Sequence, residues 1–183
     1  MLYRCSKEQP QFSSLKFLLA AAGKDKADIK IYNRILVEAS GGKYLLVATD
    51  LNSLHTVTME ALEGIEFEAG DYEIIKSDSK EIILWKGNFE EPFPKWHDVV
   101  FSTKNIKPII PSLEINYEYD SEAIFQICNA GVRMDYSRLN PLAISYWKVF
   151  QNKDKTALLF NSANLQALIQ CLPEPKEEDN NNG

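Results

Sequence analysis

Apolar and polar residues follow one another along this chain in short runs of strand period, broken by two stretches of helical period. The clearest run spans 43–59. Leu45, Leu46, Val47 and Ala48 form an apolar segment that Thr49-Asp50 halts. Asn52-Ser53 supply turn chemistry, because short polar side chains bond their own backbone. Beyond the turn, Leu54, Thr56 and Thr58 alternate with His55, Val57 and Met59, which is strand periodicity again. The run Ile31 to Ala39, closed by Gly41-Gly42, reads as a partner strand. Three consecutive strands make an antiparallel meander.

The flanks extend this picture. Tyr3 to Lys7 predicts a first strand, and Pro10 opens a helix from about Gln11 to Ala22, with Leu15, Leu18, Leu19 and Ala22 on one face and Gly23 as its stop. A second β stretch starts at Gly70, turns at Ser77-Asp78-Ser79 and continues from Glu81 to Trp85. Asn88 to Pro94 is a proline-bearing loop, Trp96 to Phe101 an expected edge strand, and Lys104 to Pro111 a connector. Leu113 to Tyr119 alternates as a half-buried strand. Asp120-Ser121 then cap a helix over Glu122 to Asn129, with Ala123, Ile124, Ile127 and Cys128 inward and Gly131 as its stop. Val132 to Ser137, Leu142 to Phe150, Thr156 to Phe160 and Leu165 to Leu172 are four further expected strands. The tail from Glu174 is too polar to pack and is expected to be disordered.

Two halves therefore share one order of elements: strand, helix closed by glycine, strands. The expected organisation is a single α+β domain over 1–173, with a pseudo-repeat over 1–69, a connecting insertion over 70–111 and a second pseudo-repeat over 112–173, followed by the tail 174–183. At 183 residues the chain can bury a core without a disulfide or metal staple. Cys5, Cys128 and Cys171 are odd in number and widely spaced, which favours reduced thiols, no mutual disulfide and a cytoplasmic setting. No apolar run reaches membrane length, so no membrane partner is expected. The net charge of −6 argues against broad attraction to nucleic acid.

Catalytic signatures are thin. No phosphate loop, nucleophile elbow or zinc-protease motif is present, and no cofactor is implied. Asp50, His55, His97 and Asp98 could compose a metal or acid–base site of a small hydrolase, although two histidines without ligand spacing predict no bound transition metal. The alternative is that these are unconnected strand and loop residues.

Val47-Ala48-Thr49-Asp50 followed by Leu54 resembles the Val-Ala-Thr-Asp-Gly-His-Arg-Leu segment of bacterial sliding clamps, the β subunit of the replicative DNA polymerase. Glu38 to Gly42 match the Glu-x-x-x-Gly turn that precedes that segment. Phe93-Pro94-Lys95-Trp96-His97-Asp98-Val99 is similar to the family's Phe-Pro-Asp-Tyr mark followed by a valine. Leu168 to Pro173 resembles the strand ending in Met-Pro that closes those clamps. The resemblance implies a DNA-clamp-like fold of two pseudo-repeats with antiparallel sheets and two short helices. It also implies a noncatalytic replication accessory protein. Thr49, Leu54, Pro94, Val99 and Leu172 would then line a hydrophobic groove for a peptide of a polymerase or other replication protein.

The departures from the family bear on DNA. Its Gly-His-Arg stands here as Leu51-Asn52-Ser53, which removes positive charge beside the partner pocket. The first predicted helix carries only Lys16 and the second no cation. Lys16, Lys24 and Lys26 are the expected duplex contacts, with weak and strongly salt-dependent affinity. Family clamps close a ring from several domains, so encirclement by this shorter chain would require a homo-oligomer. The rival reading is a clamp-fold interaction module that does not encircle DNA.

Overall fold

The computed structural model describes residues 1–23, 33–60, 67–117 and 119–173. Among them ten strands, all paired antiparallel, form one continuous sheet. The first half contributes β1 (Leu2–Ser6), β2 (Arg34–Ser40), β3 (Lys43–Thr49), β4 (Ser53–Glu60), β5 (Gly70–Ser77) and β6 (Glu81–Lys86). The second contributes β7 (Ile110–Glu114), β8 (Tyr146–Gln151), β9 (Ala157–Asn161) and β10 (Leu165–Gln170). Helix α1 (Phe12–Leu19) follows β1 and helix α2 (Ser121–Asn129) follows β7. The strand order across the sheet is β1-β6-β5-β2-β3-β4-β10-β9-β8-β7. This is an α+β fold.

The meander forms where the pattern places it. Gly41 and Gly42, at φ of +59° and +77°, make the two-residue turn whose twist matches that of the flanking strands. Alternation then sorts side chains to two faces. Leu46, Ala48, Val57, Phe160 and Ala167 join the larger core beneath the helices. Val47, Leu54, Leu159 and Leu168 point to the opposite face, where Trp96 and Phe150 complete a second cluster. Phe93, Val100, Phe101 and Ile106 of the connector pack over that cluster. The sheet thus has a helix face and a connector face.

Several expected elements differ, each for a local reason. Helix α1 stops at Leu19, and Ala21 and Ala22 continue in tighter turns bonded three residues back. Trp96 to Phe101 is no edge strand: Trp96–Asp98 is a 3-10 turn, closed by the Val99 amide on the Trp96 carbonyl, because the Trp96 ring turns into the second cluster. The strand expected to reach Tyr119 ends at Glu114, since the Asp120 carboxylate draws the Asn116 amide into a turn and Tyr119 adopts φ +58°. Val132 to Ser137 supplies only one bridge, Met134 to Cys171. The Asp135 carboxylate then accepts the Ser137 amide at 3.0 Å and starts a 3-10 segment, Tyr136–Leu142. The strand expected from Leu142 accordingly begins at Tyr146.

The span 70–111 is not a separate insertion. Its hairpin β5–β6 lies inside the first half's sheet, β6 against β1 and β5 against β2, and only residues 87–109 connect the halves. Cys128, expected inward, is exposed on α2, whereas Cys5 is buried and Cys171 half-buried; all three are free. Residues 174–183, expected to be a disordered tail, lie outside the described residues, as do Ile31 and Tyr32 of the expected second strand.

Candidate functional site

The connector face carries a cavity of about 330 Å³. Its floor and walls come from four places in the chain: the β3–β4 turn (Thr49 to Leu54), the connector (Pro94, Lys95, Trp96, Val99), the β8–β9 loop (Asn152, Thr156, Ala157) and β10 (Leu168, Gln170). Thr49, Leu54, Pro94 and Val99 therefore share one groove. Leu172 lines an adjoining cavity of about 550 Å³ together with Arg133, Lys155 and Cys171. Thr156 and Gln170 border both cavities, so the two lie side by side as a two-part trough.

The turn at the head of the trough is fixed by its own polar groups. The Asp50 carboxylate accepts the backbone amides of Asn52 at 3.0 Å and Ser53 at 2.8 Å, and the Ser53 hydroxyl at 3.1 Å. Thr49 Oγ1 donates to the Ser53 carbonyl at 2.8 Å and accepts from the Leu51 amide at 3.1 Å. These bonds hold Leu51 at φ +72° with its side chain 64% exposed at the rim. Arg138 arrives from the 3-10 segment and donates to the other Asp50 oxygen and to Ser53 Oγ. Burial disfavours the Asp50 anion, but the bonds from Arg138 and Ser53 outweigh it and hold the carboxyl below its ordinary range.

The connector wall is pinned in two places. Arg34 donates to the Glu91 carbonyl at 3.0 Å, pairs with Asp71 at 3.3 Å and lies over the Phe89 ring. Trp96 donates its indole N–H to Glu38 at 3.3 Å, and the His97 ring lies tilted against Trp96, ring centroids 3.7 Å apart. Three bonds hold the far end. The Gln170 amide donates to the Asn52 carbonyl, Cys171 to Thr156 and Leu172 to Arg133. The groove is thus a slot held by these bonds, with an apolar floor and two exposed apolar lips, Leu51 and Val99, the latter at 56% exposure.

Leu54 is not a free groove residue. At 4% exposure it belongs to the second core cluster as well as to the floor. The supposed hydrolase set is not assembled. His55 lies on the helix face, fully enclosed, with Nδ1 2.7 Å from the Phe17 carbonyl and its ring stacked on Phe17. A carbonyl only accepts, so Nδ1 carries the proton. Burial pushes the imidazole down to about 4. His97 lies on the connector face at Glu38, and Asp50 is committed to its turn and to Arg138. Among the described residues no group of three or more His, Cys, Asp or Glu could hold a metal ion. Of the expected DNA contacts, Lys16 donates to Ser77 Oγ and the Asp78 carbonyl; Lys24 and Lys26 lie outside the described residues.

Sequence reasoning missed Arg138, Trp96 and Leu168 as site residues. The Ser53 position lacks a basic side chain of its own, yet Arg138 brings a guanidinium to it from 85 residues away. No local pattern marks such a contact. The signal against a strand at Trp96 is local: Pro92 and Pro94, four and two residues before it, disfavour strand pairing.

Neither a protein-family model nor a curated protein matches the chain. Solved structures do. The DNA polymerase III subunit beta of Borrelia burgdorferi, solved in complex with a natural product, superposes with a TM-score of 0.58 at 11% identity, over 96% of this chain and 65% of that one. The Helicobacter pylori beta clamp in complex with 5-chloroisatin gives 0.52 at 13% identity, over 98% and 65%. A polymerase III beta sliding clamp of Bartonella birtlesii gives 0.50 at 14%, over 97% and 66%. This chain has the fold of the bacterial sliding clamps and spans just under two thirds of those chains.

Proposed function

We propose that this sliding-clamp fold serves as a noncatalytic replication accessory protein that captures a short apolar peptide of a polymerase or other replication partner in the trough on its connector face. One observation carries the reading. Thr49 and Leu54 of the β3–β4 turn and Pro94 and Val99 of the connector converge on one apolar slot, and Leu172 lines the cavity beside it. A preformed concave site beside bonded strand ends suits an extended peptide, and it takes little reorganisation to fill. Val99 is the residue on which to test it, because it is exposed and its replacement spares the core. A labelled peptide from the partner polymerase should bind with saturable anisotropy, and Val99→Asp should abolish binding while leaving the melting temperature unchanged. Binding that survives Val99→Asp refutes the groove.

A second reading, an interaction module that does not surround DNA, draws on the helices. The one cation of α1 is engaged within the chain and α2 carries none. Few phosphates could be neutralised there. Assembly into a homo-oligomer would be needed for encirclement. Retention on circular but not linear duplex would favour the encircling form; equal release from both favours the module. No helix among the described residues is long and apolar enough to cross a membrane.

A further inference from the structure

The trough has a charge pattern opposite to that of the chain. The whole sequence carries −6, yet the residues lining the two cavities include Lys95, Arg133 and Lys155 against a single carboxylate, Asp154. Lys95 stands on the connector wall at one end, and Arg133 and Lys155 stand at the other, past Thr156 and Gln170. Each of the three is exposed, and none forms an ion pair among the described residues. Between them the floor is apolar, from Leu54, Trp96 and Leu168. Cations at both ends of an apolar concavity concentrate a positive potential there, since low-dielectric walls focus the field.

Resting on the peptide-groove reading, we infer that the partner segment is acidic: apolar side chains enter the slot while carboxylates beside them face Lys95 at one end and Arg133 and Lys155 at the other. This complementarity selects among apolar peptides and speeds encounter more than it deepens affinity. On a chain of net charge −6 it also distinguishes this trough from the surface taken as a whole. A peptide is favoured over single-stranded nucleic acid because the site offers buried apolar floor rather than a run of exposed rings for stacking bases.

The test separates this inference from the reading beneath it. A phage-displayed random nonapeptide library is selected on the full chain and on the double variant Lys95→Glu/Arg133→Glu, whose changes lie at exposed positions. Winning peptides are resynthesised with every Asp and Glu replaced by its amide. The expected result is apolar sequences enriched in Asp and Glu, roughly fivefold weaker as amides at low salt. That gap should narrow as salt rises, and the double variant should instead enrich Lys and Arg. Apolar winners that lose binding on Val99→Asp but show no charge bias overturn the acidic inference and leave the groove reading standing. Winners indifferent to Val99→Asp overturn both. A ten-nucleotide single-stranded DNA that displaces the acidic peptides at lower concentration than they bind also overturns it, in favour of a phosphate-binding surface.

Discussion

The two halves of the sheet have one plan and unequal depth. Outward from the central β4–β10 pair, β3, β2 and β1 on one side answer to β9, β8 and β7 on the other, and the antiparallel central pairing is what a two-fold relation requires. The first half differs by the hairpin β5–β6 wedged between β2 and β1, where β8 and β7 pair directly. The helices differ with it. Helix α1 lies over β3, β4 and β6 and buries Phe12, Leu15, Phe17 and Leu18. Helix α2 rests on the edge strand β7 and buries only Ala123 and Ile127. A wider sheet gives a helix more apolar surface to cover, so α1 is the more deeply buried helix, while strands of both halves build the core and both halves line the trough.

The sharpest test of this asymmetry replaces one phenylalanine on each helix. Phe17 is 2% exposed and stacks on His55 and Trp147, whereas Phe125 on α2 is 63% exposed. Phe17→Ala should cost about 3–5 kcal/mol in urea unfolding, and Phe125→Ala no more than ~0.5 kcal/mol. Comparable losses at the two sites would mean that α2 packs more deeply than its two buried residues allow.

His55 gives the first half a pH dependence in the range of imidazole titration, and the second half has no histidine. The buried imidazole stays neutral in the folded chain down to about 4, while the ordinary value of an exposed imidazole is 6.5. Between those values the unfolded chain binds the extra proton, so stability falls as pH drops from about 6.5 to 4 and is untouched by His55 above that window. The loss at the low end is on the order of 3 kcal/mol. Asp50 acts in the same direction but lower, because a depressed carboxyl loses its contribution only as pH falls beneath its ordinary value of 3.8. Urea midpoints from pH 7 to 4 should slope for the native chain and flatten in His55→Gln. Equal slopes would remove His55 as the cause.

Local structure was legible in the sequence wherever neighbouring residues decide it. The Gly41-Gly42 turn, the Ser77-Asp78-Ser79 turn and the Asp120 cap each place an element with no help from afar. Pairing partners were not legible. Nothing in the alternation of Glu81 to Lys86 says that it lies beside Leu2–Ser6, so 70–86 read as an insertion rather than as part of the first half. The same limit hid Arg138. The Asp50 turn announces itself through Asn52 and Ser53, but the guanidinium that steadies it comes from Arg138, in the short stretch between two expected strands to which the pattern assigns no element. His55 looked like a candidate ligand because strand period cannot say which face holds water.

Helix starts sharpen the contrast at smaller cost. The Asp120 carboxylate accepts the amides of Glu122 and Ala123 at 3.1 and 3.2 Å and ties back Asn116. Those bonds hold Asp120 below the ordinary carboxyl range. Asp120→Ala should therefore cost about 1 kcal/mol. Amide exchange should rise first in the opening turn of α2, leaving α1 protected. A uniform rise through both helices would show that the two halves unfold as one unit and that α2 has no separate weakness.

Helix α1 begins in the opposite way. Its preceding residue, Gln11, makes no side-chain cap, and Gln11 is buried with no hydrogen-bond partner for its Oε1 among the described residues. The buried acceptor has given up water for nothing, a cost that a side chain of similar shape without polar atoms avoids. Phe12 beside it already belongs to the larger core, so an apolar thioether at position 11 meets apolar neighbours. Methionine is unbranched and flexible enough to follow the glutamine's path without overpacking. Gln11→Met should accordingly raise stability by a few tenths to about 1 kcal/mol, read as an upward shift of the urea midpoint at constant slope. The same exchange at the exposed Gln170 should shift nothing. A lower midpoint for Gln11→Met would mean that its oxygen is bonded in solution, and that the deep half of the molecule is as well capped as the shallow one.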